Sequence, residues 1–226
     1  MESARRFGDR FEAGRYLGEE LRQRGYAAGA GVIVLALPRG GVPVGYEVAR
    51  ALHAPLDLFI VRKVGVPGHE ELAMGAIASG GVKVVNEDVL DTLRLPRAMF
   101  EVVARKELQE LERREREYRG NGSRPDLAGK TVILVDDGLA TGSTMLAAVR
   151  AVRLAGAERI VVAVPVAANE TCDAFRPEVD DVICAITPEP FYAVGVWYED
   201  FSQTSDQEVR ELLARASEEL SHAGAG

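Results

Sequence analysis

A chain of 226 residues with 47% hydrophobic and 27% charged residues has enough apolar material for a buried core, and is read as a single domain over 1–226. Its formal charge of −8, from 27 Lys and Arg against 35 Asp and Glu, argues against nucleic acid or a membrane surface as partner, since those select a basic face. Any anionic ligand must therefore be held by local features. In chain order, the start "MESARRFGDR" lacks the apolar stretch of a signal peptide, and no run is long enough to span a bilayer, so a cytoplasmic protein is expected. An amphipathic helix follows over 10–25. Short β-branched runs at 32–37, 56–61, 131–136, 159–164 and 181–186 read as strands buried on both faces, and helical segments lie between them. This alternation predicts an α/β fold with a mostly parallel, doubly wound sheet. The core is expected over about 30–94 and 127–187.

Two segments break the alternation. Residues 95–120 have helical spacing, with Phe100, Val103, Leu108 and Leu111 on one side and interspersed charge elsewhere, which predicts an inserted long helix with a solvated charged face. Residues 188–206, "PEPFYAVGVWYEDFSQTSD", form an aromatic cluster after the last core strand and predict a small hood, with the helices at 10–25 and 205–220 covering the sheet. The last residues, "HAGAG", read as a disordered tail. Cys172 and Cys184 are not a C-x-x-C pair, and the expectation is two small buried apolar side chains rather than a disulfide.

The chemistry concentrates in "VILVDDGLATGST" (132–144). A strand delivers Asp136 and Asp137 to its carboxyl end, where ligands of such sheets sit. Gly138 and Gly142 allow a tight turn, and Ala140, Thr141, Gly142, Ser143 and Thr144 offer successive N–H groups where a helix begins. Such amides carry partial positive charge and bind phosphate without Lys or Arg. The hydroxyls of Thr141, Ser143 and Thr144 add donors. Carboxylates repel phosphate but accept from vicinal hydroxyls, or bind a divalent cation that the phosphates share. A sugar with a 5-phosphate, free 2- and 3-hydroxyls and a magnesium-bound pyrophosphate satisfies both ends.

This stretch resembles the phosphoribosyl pyrophosphate (PRPP) signature of the type I phosphoribosyltransferases, departing from it at Gly138, where the family usually has an aliphatic residue. The resemblance implies transfer of phosphoribose from PRPP to a nucleobase-like nitrogen acceptor, with Mg2+ as cofactor and release of pyrophosphate. Members of the family are often homodimers, and the apolar stripe of 95–120 offers a contact. By the same resemblance, Arg39, Gly40 and Gly41 in "LPRGGVPVG" (37–45) are the pyrophosphate loop. Residues 61–81 are a flexible loop that closes over PRPP, with Arg62 and Lys63 placed to neutralise the leaving group. His69, in that loop, and His53, beside an apolar helix, are read as having no chemical role. In 188–206, Phe191, Tyr192 or Trp197 would stack on the base, and Glu199 or Asp200 would lie near the metal with Asp136 and Asp137.

The resemblance to 6-oxopurine enzymes breaks at Ala140, where they carry a third acid, and at Ala167, where they carry a Lys, so the acceptor stays open. Two alternatives remain: a non-catalytic PRPP-binding regulator on the same fold, and another α/β phosphate enzyme. The missing P-loop signature counts against a kinase of that type.

Overall fold

The structure, a computed structural model, describes residues 5–27, 31–120 and 122–223. Residues 1–4 of the start and 224–226 of the expected tail lie outside these; His222 and Ala223 are helical. The central sheet is wholly parallel and contains β1 (Val32–Ala36), β2 (Leu56–Leu58), β6 (Thr131–Val135), β7 (Arg159–Val166) and β8 (Asp181–Ile186) in the order β2-β1-β6-β7-β8. Strand period explains how it is covered, because successive side chains face opposite sides. Val32, Val34, Ile133, Val135, Val161 and Ala163 pack against α1 (Arg10–Gln23) and α2 (Gly41–Leu52). Ile33, Leu35, Val132, Leu134, Ile160 and Val162 pack against α5 (Ser143–Leu154) and α6 (Asn169–Phe175). The expected doubly wound α/β sheet is therefore present. No helix among the described residues is long and apolar enough to cross a membrane.

The stretch 56–61 is not one strand. Its first three residues pair with β1, and the chain then leaves the sheet to begin an antiparallel unit of β3 (Val61–Val66), β4 (His69–Ala78) and β5 (Val82–Val85). The expected flexible loop at 61–81 is thus mostly a hairpin with a turn at Pro67–Gly68. Its apolar residues Val64, Val66, Met74 and Ile77 are buried and give it a second core. That core is closed by a short α3 (Glu87–Leu93), by α4 (Arg97–Arg119) and by α7 (Asp206–Ala223).

Helix α4 buries Phe100, Ala104, Leu111, Glu115 and Tyr118. Its charged run is not entirely solvated. Arg119, 8% exposed, pairs with Asp57 at 2.9 Å and Glu115 at 2.8 Å, and Glu115 also meets Arg124 at 3.0 Å. Cys172 on α6 and Cys184 on β8 are joined in a disulfide with Cα atoms 6.6 Å apart, which corrects the expectation of two unlinked side chains. Nothing in a spacing of twelve residues signals this; the pair meets because α6 lies across the sheet beside β8.

Candidate functional site

Strands β1 and β6 are neighbours in register, Ala36 opposite Val135, so the segments that leave their carboxyl ends emerge side by side. The first carries Arg39, Gly40 and Gly41, and the second carries Asp136 and Asp137. They touch: a Cβ built on Gly40 would overlap the Asp137 carboxylate, and one on Gly41 would lie 2.8 Å from the Val135 carbonyl oxygen and 2.9 Å from the Asp136 Cα. Only glycine permits this approach. The acid pair is sunk into the site. Burial raises Asp136 well above the ordinary carboxylate range, and the neighbouring charge of Asp137 adds to the rise. Burial also raises Asp137, against the pull of a guanidinium, that of Arg10.

After the acids, Leu139 N–H donates to the Val166 carbonyl at 2.9 Å, which ties the start of the turn to the end of β7. Beyond it, Gly142 takes a left-handed φ of 70° and α5 begins at Ser143. Among the described residues, the amides of Ala140, Thr141, Gly142, Ser143 and Thr144 donate to no protein acceptor, and Ala140, Thr141, Ser143 and Thr144 are exposed. Thr141 and Ser143 hydroxyls lie 3.3 Å apart, and Thr171 on α6 donates to the Ala140 carbonyl at 2.8 Å. Gly138 does not loosen this turn. A Cβ there would meet Val194 and the Val166 carbonyl oxygen, so the hood fills the space where an aliphatic side chain would stand.

The hood is built from both ends of the described chain. Phe7 pairs with Tyr198, through Phe7 N–H to the Trp197 carbonyl at 2.9 Å and Glu199 N–H to the Phe7 carbonyl at 2.8 Å. Phe7, Ala13, Val166 and Tyr198 form its core, with Phe191, Val194 and Trp197 packed against it. Two of the three base-stacking candidates, Phe191 and Trp197, therefore contribute to hood packing, and the buried Trp197 indole N–H has no acceptor among the described residues. Tyr192 stands 80% exposed.

Two residues that the sequence did not single out grip Asp137. Tyr198 donates its hydroxyl to the Asp137 carbonyl at 2.6 Å, and burial raises its phenol far above the ordinary range. Arg10 donates Nε to Asp137 Oδ2 at 2.8 Å, brings Nη2 within 2.8 Å of the same oxygen as an ion pair, and donates Nη1 to the Ser202 carbonyl at 2.7 Å, with its guanidinium 3.9 Å from the centre of the Phe201 ring. No local pattern reveals this contact across 127 positions.

The other candidate cations have partners of their own. Arg39 meets Asp206 at 3.7 Å, Arg62 is held by Glu107 on α4 at 2.6 Å, and Lys63 donates to the Glu71 carbonyl at 3.0 Å. Lys63 lines a cavity of about 280 Å³ that also reaches Ser143 and Thr144. His69 is exposed on the hairpin, and His53 closes α2 with a left-handed φ of 49°.

As metal ligands, Asp136, Asp137 and Glu199 do not fit a protein-held cage. Among the described residues no three acidic, His or Cys side chains converge, Asp137 Oδ2 is taken by Arg10, and Glu199 is exposed.

Residues 10–196 match the family described as phosphoribosyl transferase domain. Relatives in two strains of Mycobacterium tuberculosis, provisionally named phosphoribosyl transferases, are 47% identical over 219 residues; the match covers 97% of this chain and 49% of theirs, so the chain spans about half the length of these curated relatives. The crystal structure of the protein TT1426 from Thermus thermophilus is 40% identical, with a TM-score of 0.82 over 93% of this chain and 98% of that one.

Proposed function

Because the chain belongs to the phosphoribosyl transferase domain family, we propose that it moves phosphoribose from PRPP to a nitrogen acceptor of the nucleobase class, releasing pyrophosphate. One observation carries this reading. Among the described residues, five consecutive amides, Ala140 to Thr144, lie without acceptors at a helix start, directly after a half-buried acid pair that touches the Arg39-Gly40-Gly41 turn. Oriented amides of this kind hold a phosphate dianion, while Asp136 and Asp137 serve as acceptors for sugar hydroxyls. Magnesium would accompany the donor as the counter-ion of its pyrophosphate.

In this scheme the acceptor nitrogen attacks the anomeric carbon, the bond from that carbon to the pyrophosphate oxygen breaks, and the electron pair leaves with pyrophosphate. The acids favour the positive charge that develops on the sugar, and the Gly40–Gly41 backbone and Arg39 face the leaving group. Arg62 and Lys63 would join them only if the hairpin moves, since both are engaged elsewhere. Phe191, Tyr192 and Trp197 remain the candidates for base stacking, and a homodimer and a cytoplasmic location belong to the same proposal.

The alternative, a PRPP-binding regulator without turnover, is favoured by one feature: Asp137 and Arg62 are both ion-paired within the protein. Titration with PRPP and magnesium, followed by pyrophosphate release across a panel of bases, separates the two. The proposal expects binding and release with at least one base. Asp137→Asn is expected to fold but to lose about 100-fold or more in turnover, as for removal of one preorganised electrostatic contact. Equal turnover by that variant would refute its assigned role.

A further inference from the structure

Asp137 presents its two carboxylate oxygens differently. Oδ2 accepts a hydrogen bond from Nε of Arg10 and lies 2.8 Å from its Nη2, whereas no other residue among those described donates to Oδ1, which is not sealed from solvent. Arg10 is itself fixed on three sides: by the acid, by the Ser202 carbonyl and by the face of Phe201. Its side chain is 11% exposed and that of Asp137 16%. Tyr198 holds the same residue by its backbone carbonyl. The grip comes from the first residue of α1 and from the hood, while the acid follows the end of β6.

We propose that Arg10 is a positioning residue for sugar recognition: it brackets Oδ2 of Asp137 so that Oδ1 alone is offered, in one fixed orientation, to a ribose hydroxyl. This rests on the reading that the site takes a 5-phosphorylated ribose. Three consequences follow from the geometry. The bracketed oxygen is already engaged by the guanidinium, through one hydrogen bond and one ion-pair contact. Lysine, a single-point donor, cannot reproduce a fork that also reaches Ser202. And since Arg10 acts only through Asp137, its effect must vanish when that carboxylate is gone.

The test measures binding of ribose 5-phosphate and of its 2-deoxy and 3-deoxy analogues by calorimetry, with the cooperative melt of each variant as a check on folding. The wild-type protein is expected to prefer ribose 5-phosphate over at least one analogue by about tenfold or more, the scale of a hydrogen bond to a charged group. Arg10→Gln should cut that preference to within about threefold while leaving affinity for the deoxy sugar little changed. Arg10→Lys should fall between them, and serves as the reporting variant if Arg10→Gln does not fold. In an Asp137→Asn background, Arg10→Gln should change nothing further. Full discrimination by the Arg10 variants, or an equal loss for all three sugars, would overturn the bracket role while leaving sugar-phosphate binding intact. If the wild-type protein binds neither ribose 5-phosphate nor PRPP, the proposed function itself fails and the bracket with it.

Discussion

Asp136 is held where its charge is disfavoured. Burial raises its pKa well above 3.8, with the Asp137 charge as the second cause, so in the window above 3.8 the folded protein binds more protons than the unfolded chain. Stability from this group is present at low pH and declines as pH rises through the folded pKa. Asparagine carries no such charge. Asp136→Asn is therefore expected to melt at higher temperature than the wild type at pH 7, with each kcal/mol gained worth about 2–4 °C for a chain of this length, and to lose transfer activity. Thermal melts at pH 4 and pH 7 check it: the gain should be larger at pH 7. Active-site acids commonly carry such a cost, because a charge placed for a ligand is uncompensated until the ligand arrives. The signature residues Asp136 to Thr144 were legible in the sequence because strand, acids, small residues and hydroxyls are contiguous. Arg10 and Tyr198 were not, because both reach Asp137 across long stretches of chain and each, taken locally, belongs to an ordinary amphipathic or aromatic segment.

Among the elements, the strands of the central sheet were readable because a parallel strand buried on both faces needs an unbroken β-branched run. The hairpin β3–β4 was not. Gly65, Pro67, Gly68 and Gly75 punctuate it as they would a loop, and a register shift between Val64 and Val66 breaks its alternation. Helix α4 was recognised by its period, but its charged face concealed a structural anchor. Arg119 joins Asp57 on β2 to Glu115 on its own helix, all largely buried, and donates to the Leu58 carbonyl at 2.7 Å. Removing the cation leaves Asp57 without its counter-charge and Glu115 with Arg124 alone. Arg119→Met is expected to destabilise the fold by about 3–5 kcal/mol, the scale for breaking a buried ion pair from one side. Urea unfolding is the measurement, and a loss under about 1 kcal/mol would mean that water replaces the guanidinium.

Over the whole molecule, tyrosine hydroxyls tie distant parts together. Tyr26 donates to Asp181 at the start of β8, and Tyr118 on α4 donates to Asp206 at the start of α7. Each phenol is raised to about 12, first by burial and then by the hydrogen bond to its carboxylate. In the unfolded chain these groups titrate near 10. The stability they lend is complete below about pH 10 and is lost as pH rises through 12, since the unfolded state ionises first. In a Tyr26→Phe, Tyr118→Phe double variant, urea unfolding followed by circular dichroism should show a smaller fall in unfolding free energy between pH 10 and pH 12 than in the wild type.

At this scale the fold brings the glycine turn after β1, the acid pair after β6 and the hood formed by 5–9 and 191–202 to one end of the sheet. The central claim is that the free amides of 140–144 hold the donor's 5-phosphate. Backbone amide NMR of the full chain titrated with PRPP and magnesium tests it most directly. The account predicts that the amide resonances of Ala140 through Thr144 move first and furthest, with downfield proton shifts from hydrogen bonds to phosphate. A titration that leaves those five unmoved while shifting residues elsewhere would contradict it.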